Sequence, residues 1–386
     1  MAPTMDCSVL RIFLLLSFIV TFARPDIILS TDGENVNCVD KREQRAFDHP
    51  LLKNHRIQES PSEIPVSMIR TKSKWQTRQA YVSTANCPEG TFPIREDPSD
   101  MAQPNTIDTV VHEYAVRNMK SPPELYGAKA TISVWKPKIE KGADEMSISQ
   151  IWISSGRYMT NNLNTIEVGW QVYPGFYLDK KPRFFIFWTS DGYNNTGCYN
   201  LRCGGFVQTN NNIVIGGSIS PVSTINGNQF EISVFVWKDR LHGNWWLSLG
   251  ADNTLVGYWP AEIFTTLADH AGLVQWGGEI TNAQAFGRHT TTQMGSGRFP
   301  EEGFRKASYF RNLEIVDHNN SLLSVESIDT QVDDPKLYDL NKHFADDWGS
   351  YFFYGGPGSS RLHSGAVRSS SNSFYVYLCF GFLFII

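Results

Sequence analysis

The chain has 386 residues, with 34 Lys and Arg set against 39 Asp and Glu, for a formal net charge of −5. A hydrophobic share of 41% and an aromatic share of 13% are enough to bury a substantial core, spread over about two or three folding units. The acidic balance, with no Lys/Arg-rich run, excludes the basic surface that nucleic-acid binding requires.

At the N-terminus, Arg11 precedes an apolar run at 12–22. Thr21-Phe22-Ala23 supplies small residues on either side of Phe22, so residues 1–23 read as a cleaved secretory signal. Residues 24–94 are polar and irregular, and their most distinctive stretches are FDHPLLKNHRIQ (47–58) and NCPEGTFPIR (86–95). REDPSDMAQPNT (95–106) is dense in Pro, Asp and Asn and reads as an exposed linker, the kind of segment where proteolytic cuts concentrate. The chain thus divides into a signal (1–23), an N-terminal segment (24–110), a main domain (111–358) and a tail (359–386).

From residue 108 to 357 the pattern changes. GAKATISVWKP, SISQIWISSG, NTIEVGWQVYP, RFFIFWTSDG, QFEISVFVWKD and NWWLSLG are short alternating or aromatic runs, each closed by Gly, Pro, Asp or Asn. Many short strands between turn signals predict an all-β, antiparallel sandwich or barrel. The exception is PAEIFTTLADHAG (260–272), which reads as a helix with Ile263, Phe264 and Leu267 on one face.

The chain ends in SGAVRSSSNS (364–373) and then FYVYLCFGFLFII (374–386), an apolar run short for a spanning helix. Small residues, a polar spacer and an apolar tail form the pattern of a lipid-anchor signal, with Ser364, Gly365 or Ala366 as attachment points and membrane attachment as the consequence. Asn194-Asn195-Thr196 and Asn319-Asn320-Ser321 are N-glycosylation acceptors, consistent with secretion. Between signal and tail lie Cys38, Cys87, Cys198 and Cys203, which allow three pairings. The spacing in CYNLRC favours a tight loop between Cys198 and Cys203 and leaves Cys38 to pair with Cys87. A zinc site is the alternative, but no His or Cys cluster has the spacing for one.

Common catalytic motifs are absent. The sequence has no G-x-S-x-G elbow, no H-E-x-x-H and no phosphate-cradling G-x-x-x-x-G-K-[ST]. The nine histidines are scattered, and His112-Glu113 lacks the second His of a zinc helix, so it reads as structural. What remains is a pair of carboxylates. In NTIEVGWQVYP (164–174), Ile166, Val168, Trp170 and Val172 alternate with Thr165, Glu167, Gly169 and Gln171, which puts an acid on the polar face of a strand. Glu279, in LVQWGGEITNAQ, also sits beside Gly and Trp. Two carboxylates sharing a groove resist double ionisation, so one can remain an acid while the other acts as a base on water. The adjacent glycines would let a substrate backbone come close.

At these residues the sequence resembles the plant neprosin family. NTIEVGWQVYPGFYLDKKPRFFIFWTSDGYNNTGCYNLRCGGFVQ (164–208), GYWPAEIFTTLADHAGLVQWGGEI (257–280), HTTTQMGSGRFP (289–300) and YFFYGGPG (351–358) resemble that family's motifs in the same order. FDHPLLKNHRIQ and NCPEGTFPIR resemble its activation peptide. The resemblance implies a secreted glutamic endopeptidase made as a zymogen, with a β-sandwich catalytic domain of two antiparallel sheets. It places the two catalytic glutamates at Glu167 and Glu279, implies acid-active cleavage of peptide or protein substrates next to proline without metal or cofactor, and carries the tight disulfide onto Cys198 and Cys203. One departure is that KLYDL (336–340) has Leu337 where the family usually has a cysteine, so a C-terminal disulfide is missing. The loss of such a bridge commonly costs about 2–5 kcal/mol.

On this reading Gln171, on the strand face of Glu167, and Gln150, in SISQIWI, are candidates to support the oxyanion or the water. Trp152, Tyr173 and Trp259 are candidates for the substrate groove. The N-terminal segment is expected to cover that groove until acidification permits a cut in or just after 95–106. A polysaccharide-binding β-sandwich module is the alternative function, and a glycosidase using the two carboxylates is a third reading.

Overall fold

The computed structural model describes residues 26–67, 76–95, 110–119, 124–142, 144–284, 287–325, 328–345 and 348–359. The expected signal (1–23), residues 96–109 of the linker region and the expected lipid-anchor tail lie outside the described residues.

The strand that carries Glu167 is Asn164–Val172, as its alternation predicts. It lies in a seven-stranded sheet ordered Cys198–Tyr199, Arg183–Thr189, Asn164–Val172, Ser147–Ser155, Leu273–Asn282, Val111–Met119, Asp329–Val332. Every pairing in it is antiparallel. Ile166, Val168 and Trp170 point inward with Ile151, Ile153, Ile186 and Trp276. There they meet Ala130, Ile132, Val234, Val236 and Phe310 of a second sheet of twelve strands. The two sheets therefore form a sandwich with one shared core. The Trp170 indole donates across it to the Ser133 carbonyl at 3.0 Å, and the Ser149 and Tyr354 hydroxyls lie 2.5 Å apart. Burying each of these large apolar side chains contributes about 1.5–3 kcal/mol, so the core fixes which face of the Glu167 strand looks outward.

Residues 260–272 are not a helix. A single 3-10 turn spans Ala261–Ile263, followed by bends and turns. Ile263, Phe264 and Leu267 are buried as expected. The reason is a tertiary contact: Asn164 Oδ1 accepts from the backbone N–H groups of Thr265, Thr266 and Leu267, at 2.8, 3.0 and 3.2 Å, and so does the work of helical carbonyls. Near the missing C-terminal disulfide, noncovalent contacts hold the chain. Leu337 packs against the core, the Tyr338 hydroxyl donates to the Thr292 carbonyl at 2.7 Å, and Asp339–Leu340 pairs with the strand Gly349–Gly355.

The described residues of the N-terminal segment make most of their apolar contacts with the second sheet, and whether the segment covers the groove turns on residues 68–75 and 96–109, which lie outside the described residues. Ala46, Phe47 and Ile57 pack on Phe235, Trp237, Trp246 and Tyr258 of the second sheet, while Leu52 and Ala80 enter the shared core. Trp237 Nε1 donates to the Glu63 carbonyl at 3.0 Å, and the Gln58 N–H donates to the Tyr258 hydroxyl at 2.9 Å. Val66–Ser67 and Arg78–Gln79 add themselves to the second sheet as short parallel strands. The strands Asp26–Leu29, Asn35–Asp40 and Thr91–Arg95 form a small sheet, stapled by the Cys38–Cys87 disulfide. This sheet reaches the rim of the Glu167 sheet through Glu34, which accepts from Arg183 Nη1 at 3.0 Å and Arg95 Nε at 2.6 Å. Cys203 is disulfide-bonded as well, while the side chain of Cys198 lies outside the described residues.

The Cys38–Cys87 bridge closes a sequence separation of 49 residues. Replacing Cys87 with Ser should loosen the small sheet by about 4 kcal/mol on the chain-entropy account. Limited proteolysis should then cut between residues 26 and 95 far faster than in the parent, with the sandwich core intact.

Candidate active site

The register of three strands builds the site. Glu167 lies opposite Trp152, Glu279 opposite Ile148, and between them Gln150 lies opposite both Gly169 and Gly277. Residues paired across antiparallel strands share a face. Glu167, Gln150 and Glu279 therefore stand on the outer face of one sheet, the two acids offset by one intervening strand and four residues of register. They approach diagonally across Gln150. Although they lie on an outer face, both are nearly buried, with 8% and 5% exposure. The glycines have a packing reason rather than the substrate-approach reason read from sequence. A Cβ on Gly169 would strike the Ser149 carbonyl oxygen and crowd Gln150, one on Gly277 would strike the Ala115 carbonyl oxygen, and one on Gly278 would meet Met294 and Tyr354 inside.

The two acids have different surroundings. Glu167 Oε1 accepts from the Tyr193 hydroxyl at 2.7 Å and from Thr165 Oγ1 at 2.9 Å. Glu279 Oε1 lies 2.5 Å from His112 Nδ1, and its Oε2 accepts from Gln150 Nε2 at 3.1 Å. Burial raises the Glu167 pKa first and the charge of Glu279 raises it further, outweighing Tyr193, Thr165 and His112, so that it is pushed up to about 7. For His112, burial alone would lower the pKa. The hydrogen bond and charge of Glu279, with the charge of Glu167, outweigh that and raise it above the ordinary value. Near pH 5–6 Glu167 therefore favours its protonated form and His112 its imidazolium. Gln150 turns its N–H to Glu279, and its Oε1 stays buried without a partner among the described residues.

The other residues singled out from sequence are scattered. Trp152 is on the same face, edge-on to Tyr114 at 6.1 Å. Gln171 shares the face, but its Nε2 donates to the Tyr177 hydroxyl at 3.0 Å, so the amide expected to support an oxyanion is already committed. Tyr173 packs on Phe176 and Ile148 in an aromatic cluster beyond Gln171. Trp259 does not line the groove: it belongs to the second sheet, fully buried in the shared core against Phe206. Its alternation within GYWP places it inward, which a reading of its aromatic character misses. Asn194 and Asn319 are both on exposed turns.

Sequence reasoning misses His112, Tyr193 and Phe187, which pairs with Glu167. For His112 the available signal is strand alternation in VHEYAVRNM, which puts His112 and Tyr114 on one face, away from Glu113. Tyr193 carries no local signal, since its loop is 26 residues along the chain from Glu167. Tyr193 has the unusual φ of 66°, and Asp191 pins its loop by accepting the N–H groups of Asn194, Asn195 and Thr196.

The neprosin family profile matches residues 143–357, and that of the neprosin activation peptide matches residues 27–131. The chain belongs to the neprosin family. The activation-peptide match runs past residue 110 and takes in Val111–Met119 and part of Gly127–Ser133, which are strands of the two sheets. Membership of the neprosin family supports a glutamic peptidase made with an activation peptide. Among solved structures, the chain is similar to scytalido-glutamic peptidase bound to a peptide-based transition-state analogue, at 11% identity and TM-score 0.34, covering 64% of this chain and 100% of that one. It is also similar to SCP-B, an eqolisin-family peptidase in complex with the tripeptide Ala-Ile-His, at 10% identity and TM-score 0.32, covering 64% of this chain and 98% of that one. Likeness this distant assigns no residue role to a neprosin-family chain.

A carboxyl whose folded pKa lies above its ordinary 4.5 binds its proton more tightly when folded, so it stabilises the protein below 4.5 and loses that contribution as pH rises through about 7. Over that window Glu167 should cost the fold up to roughly 3 kcal/mol. Glu167→Gln should flatten this decline, and melting curves of parent and variant from pH 4 to 8 should diverge at the upper end, with the variant the more stable.

Proposed function

We propose that the protein is a secreted, acid-active endopeptidase that cuts next to proline, with Glu167 and Glu279 acting on one water. The observation that carries this reading is the pair itself: two nearly buried carboxyls on one sheet face, with Glu167 feeling the charge of Glu279 and the Gln150 amide between them. In the reaction, Glu279 takes a proton from the water as its oxygen attacks the peptide carbonyl. Glu167, still protonated, hydrogen-bonds to the carbonyl oxygen and stabilises the charge that develops there. Among the described residues, the hydrogen bonds to Glu167 from Tyr193 and Thr165 fall on Oε1, so Oε2 can carry that proton. Collapse of the intermediate breaks the C–N bond, and the proton held by Glu279 goes to the departing nitrogen. The Gln150 Oε1 can accept from the water and hold it between the acids.

Preference for proline is supported by the wall beside Glu167. Phe187, paired with Glu167, stacks with Tyr193 at 5.8 Å and meets Tyr199 edge-on at 4.9 Å. An aromatic surface suits an apolar ring that has no N–H to satisfy. Secretion is supported by the Cys38–Cys87 disulfide and by the exposed acceptors Asn194 and Asn319. Maturation by a cut in the 95–106 linker fits the architecture, because strands from residue 111 onward belong to the sandwich. Attachment to a membrane through the 364–386 tail rests on sequence pattern alone.

After acid maturation, the protein should cleave proline-containing peptides, and kcat/KM should fall as pH rises above about 7, where Glu167 loses its proton. Glu167→Gln and Glu279→Gln should each lower turnover by about 10²–10⁴-fold with the fold retained. Unchanged turnover in both variants would refute the catalytic assignment. Equal cleavage of matched peptides with and without proline would refute the specificity.

A further inference from the structure

The proposed reaction uses Glu279 as the carboxylate that takes a proton from water, so some feature of the site must tell the two acids apart. We infer that His112 is a positioning residue that holds Glu279 as the carboxylate and thereby makes it, rather than Glu167, the base of the pair. The inference rests on the peptidase reading and adds to it the residue that breaks the symmetry of the two acids.

Geometry separates the two glutamates. Among the described residues, Glu167 receives neutral hydroxyl donors, Tyr193 and Thr165. Glu279 receives a nitrogen donor on each oxygen, His112 Nδ1 on Oε1 at 2.5 Å and Gln150 Nε2 on Oε2 at 3.1 Å. Of these donors only His112 can carry a positive charge. One bond on each oxygen fixes the carboxylate plane and leaves a lone pair on each for the water. The imidazole is itself positioned, stacking on Tyr114 with ring centroids 6.4 Å apart and planes 18° apart. Tyr114 is held by its edge contact with Trp152 and by its N–H, which donates to Asp333 at 2.9 Å.

The titratable groups around this pair come from every neighbouring element. Glu167 faces it from the strand Asn164–Val172, Tyr114 from its own strand, Asp333 from the turn after Asp329–Val332, and Tyr193 and Tyr199 from the far side of Glu167. Each of these is neutral or negative, so His112 supplies the cation among them. The raised pKa of His112 agrees with this and extends the charged form above its ordinary range. Glu113, the next residue, points to the other face, where it accepts from Asn282 and pairs with His289, and plays no part.

With a neutral donor in place of the imidazolium on Glu279 Oε1, the acid limb of the pH–activity profile should move upward, and loss of the His112 charge should raise Glu167 further and move the upper limb with it. His112→Asn, which keeps a donor near Nδ1 without charge, should shift the acid limb of kcat/KM by about one pH unit. Activity at pH 3–4 should then fall about tenfold while activity near pH 6 changes little. His112→Arg should leave the acid limb near that of the parent. If the acid limb of the Asn variant stays in place, or loses height equally at every pH, the inference is overturned. Should the Asn variant fail to fold, NMR titration of ¹³C-histidine-labelled protein decides. His112 and His289 should both titrate above the ordinary range in the parent, and one of these two resonances should drop back in Glu279→Gln; if neither drops back, the inference is overturned. Failure of the peptidase reading would instead appear as turnover surviving in Glu279→Gln.

Discussion

Two carboxyls sheltered on one face of a β-sheet cannot both stay ionised, and the rest of the site follows from how that conflict is relieved. Burial alone would favour two neutral acids, which could not activate water. Water on both sides would favour two carboxylates, which could not polarise a carbonyl. The arrangement around Glu167 and Glu279 lies between these limits, because the donors are distributed unequally. Neutral hydroxyls serve Glu167, and a nitrogen donor serves each oxygen of Glu279. One proton then has a defined place before any substrate arrives, which is the preorganisation that acid–base catalysis requires.

The sandwich holds this asymmetry in place. The apolar face of the Glu167 strand is locked into the shared core, with the Trp170 indole tied to the opposite sheet. A register slip of one residue in either acid-bearing strand would turn its glutamate into that core, at a cost that is large beside ordinary stability margins. The glycines that flank Gln150 belong to the same constraint, since any side chain there would push neighbouring strands apart. The described part of the N-terminal segment packs on the far sheet and also contributes Leu52 and Ala80 to the shared core. It reaches the catalytic sheet at its rim, where Glu34 meets Arg183. Both arginine contacts hold Glu34 below the ordinary carboxylate range despite the opposing effect of burial.

Much of this is legible in the sequence where alternation governs. The outward placement of Glu167 and the inward placement of Ile166, Val168 and Trp170 follow from the period of two. The pairing of Cys38 with Cys87 follows from elimination once CYNLRC is read as a local loop. Alternation fails where a distant side chain replaces a local bond, as when Asn164 satisfies the backbone of 265–267 and removes the need for a helix. It also gives no partners. His112 sits 167 residues from Glu279, and strand register alone brings it to that carboxylate. Tyr193 reaches Glu167 from a loop whose shape depends on Asp191 and on a left-handed backbone at a bulky residue. Trp259 shows the converse, an aromatic residue beside a distinctive motif that serves only the core.

The central claim is that one proton stays on Glu167 close to neutral pH. Infrared difference titration observes it directly, through the carbonyl stretch of a protonated carboxylic acid. The account predicts one such band persisting to about pH 7 in the parent and absent from Glu167→Gln. No protonated carboxyl above the ordinary glutamate range, or a band that survives in that variant, would contradict it.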